Sequence, residues 1–227
     1  MTLIALAAGF EWARLCRLAG APAWGYALAI ALVFLAVYNA QPWQPALLIA
    51  AAFWIVVVPA WLRRGVAAAH GAALAAAGFA LIVPAALAMA ALPPLQLLLL
   101  LVFVWIADSG AYFVGRALGK RKLAPSISPG KTWEGALGGS AAALLYAIIC
   151  GLFVEGLSWV MYLAAALLLA VLSIVGDLFE SAAKRQAAVK DSGTLLPGHG
   201  GVLDRIDSAT AVLPVAMLLW AYVRGAA

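Results

Sequence analysis

The side chains able to do chemistry gather in one stretch, the polar segment from Asp177 to Asp207. Asp177, Glu180, Ser181 and Lys184 follow i, i+3, i+4, i+7, so on a helix they form one polar stripe. A carboxylate on an apolar helix costs about 2.5–3.5 kcal/mol at the centre of a bilayer, so it is kept where a metal or other cation compensates. Taken alone, the stripe fits equally a helix surfacing from the membrane with an internal ion pair. The next residues shift that balance. Pro197-Gly198-His199-Gly200-Gly201 is a glycine-rich turn whose backbone can approach a ligand closely and point N–H groups at it. Asp204 and Asp207 are i, i+3 at the head of the last helix and share a face, while Arg205 points about a quarter turn away. With Asp177 they make a hard, oxygen-rich set suited to Mg2+, which completes its shell with water and substrate phosphates. His199 has no His or Cys partner at ligand spacing, so it reads as a phosphate contact or loop anchor rather than a metal ligand.

A second constellation precedes the first. Asp108 stands in VFVWIADSGAYFVGR, with Tyr112 at i+4 on the same face and Arg116 near the helix end. In the loop GKRKLAPSISPGKTWEG, Ser128 and Pro129 look like a helix start, Ser as N-cap and Pro at N1. Lys131 and Glu134 are then i, i+3 neighbours. Lys131, inside SPGKT, suits a phosphate contact, whereas Arg121 and Lys122 read as an ordinary basic cluster meeting anionic lipid. The loop is not a P-loop, because both the G-x-x-x-x-G-K-[ST] spacing and the preceding strand are missing. Cys16 and Cys150 lie in apolar helical stretches and read as small buried side chains.

Composition says what kind of scaffold positions these groups. Hydrophobic residues make up 67% of the 227 positions and charged residues 10%, and mean hydropathy is +1.07. A soluble domain is about half apolar and a quarter charged, so lipid is this chain's solvent. The expected fold is all-α, a polytopic membrane bundle of about eight transmembrane helices. They fall at roughly 2–18, 23–39, 45–62, 68–91, 94–115, 133–154, 157–182 and 202–223. Pro84 is expected to kink the fourth. The start lacks the basic n-region of a cleavable signal peptide.

Placing both termini outside puts thirteen basic residues on the inner side: Arg14 and Arg17; Arg63 and Arg64; Arg116, Lys120, Arg121, Lys122 and Lys131; Lys184, Arg185, Lys190 and Arg205. Of the fourteen, only Arg224 stays outside, as the positive-inside rule requires of a correct helix count. Asp108, Glu134, Asp177, Glu180, Asp191, Asp204 and Asp207 map to the same inner side, which places an active site at the cytoplasmic face. Within a single integral-membrane domain, residues 1–93 read as scaffold helices and 94–227 as catalytic helices with two polar cytoplasmic loops. Charge on one side and no internal repeat argue against a channel or proton-coupled carrier. A metal–polyphosphate substrate accounts for both signs of charge at once.

Three ordered blocks carry a family likeness. SAAKRQAAVKDSGTLLPGHGGVLDRID, with Ser181, Lys184, Arg185, Lys190, Asp191, Pro197, His199, Gly200, Gly201, Asp204, Arg205 and Asp207, resembles the signature of phosphatidate cytidylyltransferases (CDP-diacylglycerol synthases). Asp108, Ala111, Tyr112, Gly115 and Arg116 agree, as do Ser128, Pro129, Lys131, Thr132, Glu134 and Gly135, and GDLFES from Gly176 to Ser181 is family-like. The likeness runs from about residue 105 to the end, and FEWARL (Phe10–Leu15) is similar to the family's early helix. Family members usually carry a basic N-terminus and one more membrane helix before that segment; here Met1 stands a few residues upstream.

The resemblance implies transfer of CMP from CTP to phosphatidic acid, giving CDP-diacylglycerol and pyrophosphate in phospholipid biosynthesis at a bacterial inner membrane. Asp177, Asp204 and Asp207 are expected to hold Mg2+, with room for a second cation, and with Lys184 and Arg185 to form the catalytic set. The expected substrate-binding set is Asp108, Tyr112, Arg116, Ser128, Lys131, Glu134, Ser181, Lys190, Asp191, His199, Gly200, Gly201 and Arg205. Lys131, Lys184, Arg185, Lys190 and Arg205 would neutralise phosphates, and Asp108 and Glu134 would orient those cations or a metal-bound water. On this reading Asp204→Asn abolishes magnesium-dependent turnover in a folded protein. The partners are CTP, phosphatidic acid and the lipid bilayer, with no nucleic acid; a homodimer is compatible. The rivals are a CTP-dependent kinase of a polyprenol or other lipid alcohol, which releases CDP, and a non-catalytic anion transporter, which consumes no nucleotide.

Overall fold

The computed structural model describes residues 1–67, 70–195, 198 and 200–223. Among these the chain forms eight helical rods: α1 (Thr2–Leu15), α2 (Ala21–Ala40), α3 (Gln44–Arg64), α4 (Gly71–Ala91), α5 (Pro94–Leu118), α6 (Trp133–Gly151), α7 (Trp159–Gln186) and α8 (Leu203–Val223). The six from α2 to α7 are long and apolar enough to cross a membrane. Helices follow from the solvent, since in hydrocarbon each backbone N–H and C=O must be satisfied within its own segment. Pro22, Pro45 and Pro94 stand in first turns, where no backbone N–H is needed. The expected all-α polytopic membrane bundle is the fold the chain adopts.

Proline also acts inside the rods. Pro59 has no N–H to offer the carbonyl of Ile55, and the turn just before it, Phe53–Val57, widens to π geometry. α4 continues through Pro84 from Gly71 to Ala91.

α8 is the axis of the bundle. Every residue from Ser208 to Ala216 is buried, and the helix packs against α7, α4, α3, α5 and α1. Large side chains such as Leu32, Phe113 and Val160 point outward, as lipid-facing residues do. Near the C-terminal end of α7, Phe179 is fully buried. It meets Trp12 of α1 and Phe53, Trp54 and Trp61 of α3 at ring-centroid distances of 5.5–6.0 Å. This aromatic knot fixes the first and third helices to the one that carries Asp177.

Between α5 and α6 the chain forms an antiparallel hairpin, β1 (Lys122–Ala124) with β2 (Ser128–Thr132), pairing Lys122 with Thr132 and Ala124 with Ser128. This corrects the helix start expected at Ser128. Pairing with β1 holds residues 128–132 extended, so α6 begins only at Trp133. Thr132 is its cap, accepting the N–H of Gly135 at 3.1 Å. Lys131 therefore projects from a strand, and Glu134, in the first turn of α6, is not its neighbour on a common helix.

Candidate active site

The hairpin and three helices enclose a cavity of about 380 Å³. α5 contributes Asp108, Tyr112 and Arg116, the hairpin Ser128, Lys131 and Thr132, and α7 Ile174 and Asp177. The wall between α5 and α6 is a seam of small residues, where Gly135 and Gly139 face the carbonyls of Ala111 and Ala107 with no room for a side chain. Lys131 bridges the cavity to Asp177 at 2.5 Å, and both side chains stay partly open to it, 24% and 30% exposed. The Ser181 hydroxyl donates to the other Asp177 oxygen at 3.2 Å. Arg116 donates to the Tyr112 hydroxyl at 3.0 Å along the face of α5. The polar stripe read from the spacing of α7 is thus real, and the cavity joins its Asp177 to the Asp108 and Lys131 blocks.

Asp204 faces elsewhere. Its Oδ1 accepts the Lys184 ammonium at 2.7 Å, while Oδ2 accepts the N–H of Ser192 at 2.9 Å, the Ser192 hydroxyl at 2.9 Å and the N–H of Gly201 at 2.8 Å. Oδ2 thus gathers three donors from the loop and Oδ1 the ammonium, so both oxygens are engaged. Lys184 is in turn shared with Glu180 at 3.0 Å. The expected trio of Asp177, Asp204 and Asp207 therefore divides, because the loop after Lys190 folds back over the head of α8 and takes Asp204 for itself. Asp207, one turn further along, lies with Asp177 and Asp108, close enough for their charges to interact. Gly176 makes that approach possible: a Cβ there would stand 2.9 Å from the Asp207 carbonyl. Among the described residues no three His, Cys, Asp or Glu side chains are gathered in position to hold a metal.

One residue of this arrangement comes from the half read as scaffold. Glu11 of α1 is 1% exposed, yet it accepts the N–H of Val202 at 2.9 Å, the N–H of Leu203 at 2.7 Å and the Ser192 hydroxyl at 3.2 Å. It supplies an anion to the N-terminus of α8 from almost the other end of the sequence. A side chain at Gly201 would collide with Glu11 and Ser192. Two further hydrogen bonds, Arg17 to the Gln186 carbonyl at 2.8 Å and Gln186 to the Leu15 carbonyl at 2.6 Å, tie the ends of α1 and α7 together. Spacing could not reveal Glu11's partners. The available signal was its cost, since an acid in an apolar helix needs compensation.

The remaining expected residues scatter. Glu134 turns from the cavity to accept the N–H groups of Lys120 and Arg121 at 3.0 and 3.1 Å. Arg185 donates to the Ile127 carbonyl at 3.2 Å and lines a different cavity. Lys190, Asp191 and Arg205 are exposed, and Gly200 adopts the left-handed φ of +81° in the turn. His199 and Pro197 lie outside the described residues.

Residues 1–223 match the sequence profile of the cytidylyltransferase family. The phosphatidate cytidylyltransferase of Pseudomonas aeruginosa is 41% identical over 243 aligned residues, which cover 96% of this chain and 85% of that protein. Those of Haemophilus influenzae and Bacillus subtilis are 49% and 52% identical over 132 and 121 residues, 56% and 53% of this chain and 46% and 45% of theirs. With the match running through both halves of the bundle, from the helix of Glu11 to that of Asp207, the chain belongs to the cytidylyltransferase family.

Proposed function

We propose that the chain transfers a cytidylyl group from CTP to phosphatidic acid, releasing pyrophosphate and leaving CDP-diacylglycerol in the membrane. The observation that carries this reading is a single cavity holding both signs of charge, Asp108 and Asp177 with Lys131 and Arg116. A phosphate oxygen of the lipid forms a bond to the α-phosphorus of CTP as the bond to the bridging oxygen of the β-phosphate breaks. Pyrophosphate leaves with that electron pair. No enzyme nucleophile is needed, and positioning with charge neutralisation supplies the rate.

Each side chain then has a task. Lys131, carried on a strand and steadied by Asp177, meets the phosphates, and Arg116 with Tyr112 meets them at the cavity's edge. Tyr112 and its neighbour Phe113 are 58% and 67% exposed on the outward face of α5, which suits sideways entry of a lipid. Lys184, enclosed by Glu180 and Asp204, holds the loop rather than a phosphate.

Mg2+ is the proposed cofactor. Asp177 and Asp207, with Asp108 beside them, are hard oxygen donors whose mutual repulsion a divalent cation would relieve. Asp204, whose oxygens already accept Lys184 and the loop donors, is assigned in this proposal to anchoring the loop rather than to the ion. Bound there, the ion would add charge neutralisation for the triphosphate. The site's end of the bundle is proposed to face the cytoplasm of a bacterial inner membrane, because the basic residues gather there.

The test incubates purified protein with CTP labelled in the cytidine, phosphatidic acid and Mg2+. Label moving into lipid with release of pyrophosphate is the expected outcome. Release of CDP would instead mark a lipid-alcohol kinase, and no nucleotide consumption a transporter.

A further inference from the structure

We infer that a second cavity at the same end of the bundle, lined by Arg63, Arg64 and Arg185, binds the phosphate of an anionic phospholipid headgroup. The cavity measures about 370 Å³ and shares no lining residue with the one proposed for catalysis. Arg63 and Arg64 close α3, Arg185 stands at the end of α7, and Ser126 and Ile127 of the hairpin turn form the wall between them. Arginines at helix C-termini suit the helix dipole, but that does not explain why three converge on one space.

Charge makes the assignment. No carboxylate lines this cavity, and among the described residues none of the three arginines is in an ion pair. All three are exposed, so water and salt temper their repulsion, and an anion set between them gains from three cations at once. The guanidinium fork matches phosphate oxygens two at a time.

Depth selects the source. Arg63 and Arg64 end a helix long and apolar enough to cross the membrane, so the cavity lies where headgroup phosphates lie. Its other walls, Leu62, Val66 and Ala182, are apolar and suit the glycerol end of acyl chains. Basic pockets between membrane helices at the inner surface are the recognised setting for anionic headgroups.

The bound headgroup also reaches the catalytic cavity through the hairpin. Arg185 holds the Ile127 carbonyl at 3.2 Å, and the strand that follows carries Lys131 to Asp177. An anion gathered by Arg63 and Arg64 fixes Arg185 and so the turn, which steadies Lys131 from the side opposite to the substrate. Anionic lipid that is not substrate therefore stimulates turnover.

The test uses the full chain in detergent and counts retained lipid by native mass spectrometry. Wild type should retain phosphatidylglycerol about tenfold better than phosphatidylcholine. Arg63→Gln/Arg64→Gln should lose that preference, whereas Arg121→Gln/Lys122→Gln, which removes the same charge from the hairpin's exposed side, should keep it. Equal retention by the first variant, or equal loss by the second, overturns the proposal, since attraction would then be absent or diffuse. Displacement of the lipid by millimolar inorganic pyrophosphate would assign the site to free polyphosphate and overturn the headgroup reading. A thermal midpoint matching wild type excludes misfolding of the variants. In nanodiscs of phosphatidylcholine with CTP and only trace phosphatidic acid, too little to fill the Arg63 cavity, basal turnover of Arg63→Gln/Arg64→Gln should match wild type and lose only the gain from added phosphatidylglycerol. This activity arm rests on the proposed cytidylyl transfer and the retention arm does not, so failure of either idea is separately visible.

Discussion

Around Glu11 and Asp204 every carboxylate oxygen meets a donor: four backbone N–H groups, one hydroxyl shared by both acids, and Lys184. Around Asp177 and Asp207, a single turn of α8 away, the carboxylates lie close enough for their charges to interact, with Lys131 the cation paired to Asp177. The first cluster has its desolvation compensated by the donors around it; the second is short of positive charge. One stretch of sequence therefore supplies both a staple and the proposed reactive site. The number of donors already on each acid, not its place in the motif, tells them apart.

Breaking the reactive side should give the largest effect. Asp177→Asn removes Lys131's partner and a hard oxygen donor, and turnover of labelled CTP should fall about 10²–10³-fold with little change in thermal midpoint. Near-normal turnover would remove Asp177 from the chemistry. On the staple side, Glu11→Gln turns an amide donor toward the N–H groups of Val202 and Leu203. A loss of about 2–3 kcal/mol is expected, seen as a lower unfolding midpoint in detergent. If that variant were stable yet inactive, Glu11 would belong with the reactive cluster.

Asp204→Asn sharpens the contrast further. With Lys184 left facing a neutral amide, about 2 kcal/mol of stability should go. A well-folded Asp204→Asn protein that no longer responds to magnesium would return Asp204 to the metal site and erase the distinction between the clusters. Lys131→Gln should raise KM for CTP about tenfold, and its effect should shrink in an Asp177→Asn background because the two side chains act as a pair. The smallest effect belongs to the cap: Thr132→Ala should cost about 1 kcal/mol in stability, with turnover per folded molecule unchanged.

Some of this was legible in the residues. The long apolar helices were, because a bilayer leaves the backbone no other means of satisfying itself. So was the stripe from Asp177 to Lys184, since i, i+3, i+4 and i+7 share a helix face whatever surrounds it. The hairpin was not: Ser128-Pro129 suits a helix start as well as a strand, and pairing with Lys122–Ala124 decided it. Nor was the widened turn before Pro59, where the sequence announces a defect but not its form. Arg63 and Arg64, read only as topology markers, acquired a shared cavity once α7 and the hairpin turn came beside them.

The sequence by itself determined the solvent, the helices and the end of the bundle where charge collects, because hydropathy and helical periodicity act over a few neighbouring residues. Only the tertiary structure decided which acid meets which donor. Glu11 meets Ser192 across 181 positions, and Lys184 meets Asp204 across 20. A carboxylate's role is set by the donors within about 3 Å of it, and those come from wherever the bundle folds.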